Sequence, residues 1–284
     1  MLAYRHAFHA GNHADVLKHV ALVAVLRRMA QKEKGYRLID THAGAGGYSL
    51  ESRYAQQRGE FEEGIARLWE RSDLPPLVAD YVDLVRQFNG GGPLTQYPGS
   101  PALAQLLLRP QDQLRAFEMH PTDHKILASF LGEWPGAEVS MSDGFNSLKA
   151  QLPPPTRRGV VLIDPSYEIK TDYARTLAAL REALTRFPDA VVMVWLPQLQ
   201  LLEAAQLPQR LKASAESQAK KGWLHARLSV ADADARGFGM LGSSVFIANP
   251  PHTLKDGLKV ALPWLAAALR PDGQGKHLLE THGV

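Results

Sequence analysis

The chain has 284 residues, 45% of them hydrophobic and 21% charged, with 23 Gly and 19 Pro that follow no period, which excludes a collagen-like repeat, wholesale disorder and a mini-protein. Its longest apolar runs, 20–26 and 190–196, are far shorter than the ~20 residues of a membrane-spanning helix, so no membrane partner is expected. Net charge is only +3 with a pI of about 9.0, yet Arg27-Arg28, Arg157-Arg158 and Lys220-Lys221 gather the basic residues, a pattern that permits a phosphate-rich partner without requiring one. Cysteine is absent, which removes disulfides, thiol nucleophiles and Cys-ligated metals. The first residues carry His and Asp where a secretory leader would be apolar, so a cytoplasmic protein is expected.

In chain order, 12–30 reads as a helix, with Asn12 as its cap and Val16, Val20, Val23 and Leu26 on one face. A strand over 36–40 runs into a glycine loop at 44–47. Between that loop and a second strand over 114–118 lie about seventy residues, where a simple β-α-β unit needs about thirty. Apolar spacing places a small helical insertion at 50–95, and the main fold resumes at Tyr97-Pro98-Gly99-Ser100-Pro101. Strands are then expected over 137–141, 160–164, 190–196, 224–230 and 244–248, with helices over 122–130, 171–187 and 199–219. This order predicts a single α/β domain over 1–284, built on a mostly parallel seven-stranded sheet with helices on both faces. Its binding crevice lies at the carboxyl ends of the strands.

Four constellations sit at those ends. Asp40-Thr41-His42-Ala43-Gly44-Ala45-Gly46 follows the first strand, where Gly44 permits close backbone approach to a nucleotide-like cofactor. The loop lacks the Gly-Lys-Ser/Thr of a P-loop, which argues against a nucleotide triphosphatase. Glu118 ends the second strand, where a carboxylate accepts hydrogen bonds from ribose hydroxyls. Ser142-Asp143-Gly144-Phe145 follows the third and offers a carboxylate, a turn and an aromatic to an adenine. Each of these three is also an ordinary strand-end turn or helix cap. The fourth, Asp164-Pro165-Ser166-Tyr167, follows 160–164 and decides the reading. The exocyclic amine of adenine is a poor nucleophile, and a site that methylates it needs a carboxylate, a rigidly held carbonyl and an aromatic. Asp164, the Pro165 carbonyl and Tyr167 supply these three.

The chain resembles the RlmJ family of 23S ribosomal RNA adenine-N6 methyltransferases. The resemblance is carried by the opening Tyr4-Arg5-His6-Ala7-Phe8-His9-Ala10-Gly11-Asn12-His13-Ala14-Asp15-Val16-Leu17-Lys18-His19, the Asp40 to Gly46 loop, Tyr97-Pro98-Gly99-Ser100-Pro101, Arg157-Arg158-Gly159 and the Asp-Pro-x-Tyr motif. It implies a Rossmann-like class I fold that uses S-adenosyl-L-methionine, with S-adenosyl-L-homocysteine as product and no metal. It further implies that His19, His42, Ser100, Glu118, Asp143, Gly144 and Asp164 contact the cofactor, that Asp164 takes the amine proton, that Tyr167 stacks on the adenine and that Tyr4 contacts the RNA. Ser166 departs from the family's commoner second proline and implies a looser loop.

Lys18 is expected near the methionine carboxylate of the cofactor, and Arg5 and His6 beside the RNA. His9 and His13 are four apart, a zinc-ligand spacing on one helical face, but an Asn12 cap would leave His9 outside the helix. Asn249-Pro250-Pro251-His252 resembles the catalytic motif, yet it follows the last predicted strand and reads as a structural turn. The expected partner is 23S rRNA and the expected state a monomer. DNA adenine methylation, non-catalytic RNA binding and a metal-dependent nuclease are the rival readings.

Overall fold

The computed structural model describes residues 5–232, 239–270 and 272–284. A 3-10 turn at His6–Phe8 leads into α1 (His13–Ala30). The Asn12 side chain caps α1, accepting from the Ala14 and Asp15 N–H groups at 3.0 Å each, because those donors have no partner inside the helix. His9 lies outside α1. The expected apolar face proves too narrow: Leu17, Leu22 and Val25 are also buried, since α1 packs against the sheet on one side and against other helices on the rest.

The chain continues through β1 (Arg37–Asp40), β2 (Gly47–Ser49), α2 (Arg53–Arg58), a 3-10 turn at Glu60–Glu63, α3 (Ala66–Trp69), α4 (Pro76–Phe88), β3 (Gln96–Pro98) and α5 (Ser100–Leu107). The short β2 and β3 pair antiparallel, Gly47 opposite Pro98, and the Gly99 N–H donates to Gly46 O at 2.8 Å, so Ser100 stands beside the glycine loop. Alternating elements follow: β4 (Gln113–Phe117), α6 (Pro121–Leu131), β5 (Ala137–Ser140), α7 (Gly144–Gln151), β6 (Gly159–Ile163), α8 (Thr171–Arg186), β7 (Val191–Gln198) and α9 (Leu202–Gln218). The chain closes with β8 (Trp223–Ser229), β9 (Gly242–Ala248), α10 (Leu254–Leu269) and β10 (Lys276–His282).

The large sheet has the order β10-β8-β9-β7-β6-β1-β4-β5. The five strands from β7 to β5 are parallel, while β9, β8 and β10 pair antiparallel. Among the described residues it therefore has eight strands rather than the expected seven: β10 extends the edge beyond β8, and its half-exposed residues carry no alternation for a sequence reading to catch. One core, with α1, lies on one face of the sheet, and a second, under α8 and α9, on the other. No helix among the described residues is long and apolar enough to cross a membrane.

Candidate active site

A cavity of about 820 Å³ opens at the carboxyl ends of β1, β4 and β6, within the range of small-molecule sites. Its lining includes His6, Lys18, His19, His42, Gly44, Ser100, Glu118, Asp143, Gly144, Asp164 and Pro165, so one space collects candidates from seven separate segments.

The glycine loop is stitched to both neighbouring strands. The Thr41 N–H and hydroxyl donate to Leu162 O, and the Ala43 N–H to Phe117 O. Gly44 has φ +63°, and a Cβ there would stand 2.2 Å from the Tyr48 hydroxyl. Its N–H donates to Glu118 at 2.9 Å, and the other Glu118 oxygen accepts from His120 N–H at 2.6 Å. Burial pushes the Glu118 carboxyl above its ordinary range, against the pull of those two bonds. Asp143 caps α7 by accepting from the Phe145 N–H and is ion-paired with Arg175, whose guanidinium lies 4.5 Å from the Phe145 ring centre. A Cβ on Gly144 would meet Thr41 O at 1.9 Å, so only glycine lets α7 start this close to the loop.

Two histidines face this half. The Thr41 hydroxyl spends its proton on Leu162 O, so His42 Nδ1, 2.8 Å away, is the donor to it and Nε2 is left as an acceptor. Burial lowers His42 to about 4, which keeps it neutral. His19 Nδ1 lies 2.7 Å from the Tyr97 hydroxyl, while its buried Nε2 has no partner among the described residues.

Beneath the loop, Asp40 is fully buried and accepts from the Ser100 hydroxyl at 2.6 Å. Burial, opposed by that bond, pushes Asp40 up to about 7. Asp40 therefore holds its proton more tightly in the folded than in the unfolded chain, and its contribution to stability falls as pH rises from the usual carboxylate range to about 7. Asp40→Asn keeps the shape without the titration. Denaturant titrations across that window should show the variant gaining on the native protein by up to a few kcal/mol, on the order of one pKa unit per 1.4 kcal/mol. Parallel curves would contradict the assignment.

At the other side of the cavity stands Asp164. Lys18, buried in α1, reaches Asp164 at 2.6 Å and Asp15 at 2.7 Å. Asp15 also accepts from the Gly11 N–H at 2.9 Å and lies 2.8 Å from His6 Nε2. Burial alone would lower the Lys18 ammonium, but the two carboxylates outweigh it and hold it above its usual range. Asp164 is pushed up by burial, with Lys18 opposing. Lys18 thus lines the cavity with two of its three ammonium donors engaged by carboxylates of the protein.

Tyr167 also departs from expectation. Its ring is buried against Tyr173 and Trp195 rather than in the cavity lining, and its hydroxyl donates to Trp195 O at 2.8 Å and accepts from Thr176. It has φ +55°, a conformation unusual for a bulky side chain and most often found at functional turns. Arg5 stands over the Tyr54 ring, outside the lining. Tyr4 lies outside the described residues.

His9 Nδ1 pairs with Glu60 at 2.9 Å, and among the described residues no group of three or more His, Asp or Glu is placed to hold a metal ion. Asn249 accepts from Lys221 N–H and donates to Pro188 and Ala190 carbonyls, at the opposite end of β7 from the cavity, as a structural turn does. Sequence reasoning missed Asp15, in the first turn of α1, and Arg175 and Trp195, whose partners Asp143 and Tyr167 come from distant segments so that no local pattern marks them.

The family described as "Ribosomal RNA large subunit methyltransferase D, RlmJ" matches residues 33–281. The proteins named Ribosomal RNA large subunit methyltransferase J from Escherichia coli K12 and Haemophilus influenzae are 43% and 42% identical to this chain, covering 97% and 99% of it and 96% and 98% of the relatives. A crystal structure of a protein from Legionella pneumophila strain Philadelphia 1 superposes with a TM-score of 0.87 at 32% identity, spanning 96% of this chain and 98% of that one. With its glycine loop, its Asp-Pro-x-Tyr turn and this likeness over nearly the whole length, the chain belongs to the RlmJ family of ribosomal RNA large subunit methyltransferases.

Proposed function

We propose that the protein transfers a methyl group from S-adenosyl-L-methionine to N6 of an adenine in 23S rRNA, as a cytoplasmic monomer that needs no metal. The observation that carries this reading is the placement of Asp164 and Pro165 in the same cavity as the glycine loop, Glu118 and Asp143. The whole chain acts as one methyltransferase domain, and 50–95 forms an inserted helical cover whose α4 packs on α1.

The lining fits the cofactor. His19 Nε2 is a buried polar atom in need of a partner, and Glu118 offers remaining lone pairs to ribose hydroxyls. Asp143, Gly144 and Phe145 border the place for the adenine ring, with His42 and Ser100 completing the wall. When bound, the cofactor supplies an electrophilic methyl on a sulfonium. Asp164 accepts one hydrogen of the adenine amine and the Pro165 carbonyl the other, which localises the lone pair on nitrogen and aims it at the methyl. Asp164 would take the proton the amine gives up when it gains the methyl, whose bond to sulfur breaks to leave S-adenosyl-L-homocysteine. Lys18 keeps Asp164 ionised and fixed for that step. Tyr167 holds the turn in place through Trp195 O. Tyr4, Arg5 and His6 contact the RNA.

Calorimetry with S-adenosyl-L-homocysteine in the presence of a chelator should show one site per chain. Labelled S-adenosyl-L-methionine incubated with rRNA from cells lacking the gene should then mark one adenine at N6. No binding at millimolar ligand, or label on a different atom, would overturn the reading.

A further inference from the structure

The adenine needs an aromatic surface, and the motif's own tyrosine is turned into the core. Of the rings that border the cavity, Tyr48 is tied to the glycine loop through its hydroxyl and packs on His6, and Phe117 precedes Glu118, while three others stand where a base could meet them. His42 and Phe145 pack edge to face, 4.6 Å apart, on the cofactor side. Trp195 lies on the acceptor side, beside Asp164.

The sheet register puts it there. β6 and β7 are parallel neighbours, with Ile163 opposite Val194. Leu162 and Met193 bury into the core on the α1 face, and Ile163 and Val194 into the other. By alternation, Asp164 and Trp195 both emerge on the α1 face at adjacent strand positions, about 5 Å apart across a sheet. Lys18 of α1 meeting Asp164 confirms that direction for the carboxylate. The Trp195 backbone is pinned by pairing with Val245 in β9 and by the Tyr167 hydroxyl on its carbonyl, while the indole packs 6.0 Å from the Tyr167 ring. Its Nε1–H is buried and has no partner among the described residues.

Building on the methyltransferase reading, we propose that Trp195 is the platform on which the target adenine stacks, and that Tyr167 is a positioning residue that fixes the indole from behind. A base seated on the indole has its amine beside the neighbouring Asp164 carboxylate.

The test uses the whole protein, an unmodified 23S rRNA transcript and the variants Trp195→Leu and Trp195→Phe. Trp195→Leu should lower kcat/KM for the transcript on the order of 10- to 100-fold, the range of one lost base–aromatic stack, and Trp195→Phe should stay within about 5-fold. Affinity for S-adenosyl-L-homocysteine should not move in either variant, and Trp195→Phe, which keeps a ring against both cores, should melt near the native temperature. In a second arm, with that product saturating the cofactor side, adenosine should quench tryptophan emission of the native protein but not of Trp195→Phe. Native kcat/KM in Trp195→Leu, or a loss that tracks melting temperature and product affinity, overturns the stacking role. Quenching without any methylation of the transcript overturns the rRNA reading and leaves the platform standing.

Discussion

Asp164→Ala should abolish methyl transfer, lowering kcat by about 10²–10⁴-fold, the usual worth of a positioned proton acceptor, with little change in product affinity. The geometry separates the two effects. The Glu118 and Asp143 anchors lie on other strands' ends, and Lys18 keeps its second carboxylate, Asp15 at 2.7 Å, when Asp164 is removed. The ammonium is therefore not stranded and the fold should persist. Asp164→Asn keeps an acceptor oxygen but cannot take a proton at neutral pH, so it should retain more activity than Asp164→Ala and still fall well below the native enzyme. Single-turnover methylation beside calorimetry decides the matter. A native rate in Asp164→Ala would remove the residue from the chemistry.

Asp164 was legible from sequence because the local turn that carries it also marks it: a buried apolar strand, a carboxylate, a proline. The same holds for Gly44, Glu118 and Asp143, each within four residues after a strand, and for Asn12, whose cap fixed the start of α1. Legibility failed where structure depends on partners far along the chain. β2 and β3 have three residues each, too few for any periodicity, and exist because Tyr48 and Tyr97 are buried together. Helix α10 contains Gly257 and Pro263, which interrupt a helical pattern, and is held by its buried Leu258, Leu262 and Leu265. Tyr167 shows the limit within a motif: spacing put an aromatic at the strand end, but its positive φ and its bond to Trp195 O turn it inward. The ring left facing the acceptor is on the next strand, where sequence spacing says nothing about the distance to Asp164.

Lys18→Met should be damaging in a way that Lys18→Arg is not. The native ammonium sits between two carboxylates, with the Lys18 and Asp15 side chains only 6% and 2% exposed. Removing the cation takes from Asp164 its ammonium partner, while Asp15 keeps His6 and the Gly11 N–H. Truncating one member of a buried ion pair costs about 3–5 kcal/mol, because the remaining charge keeps its desolvation penalty. Part of that penalty is avoided by protonation. Burial already pushes Asp164 up and Lys18 is the force opposing it, so without Lys18 the Asp164 pKa rises further. Since transfer needs Asp164 ionised, activity is lost as pH falls through its pKa, and the acid limb of the kcat/KM profile should move to higher pH in Lys18→Met. Raising the pH should then restore part of the rate, up to the limit set by the misplaced carboxylate. Lys18→Arg keeps the charge and should leave the limb near its native position. An unmoved limb in Lys18→Met would mean that the group titrating there is not Asp164, and attention would pass to Asp40, whose carboxyl burial raises to about 7 in the same site.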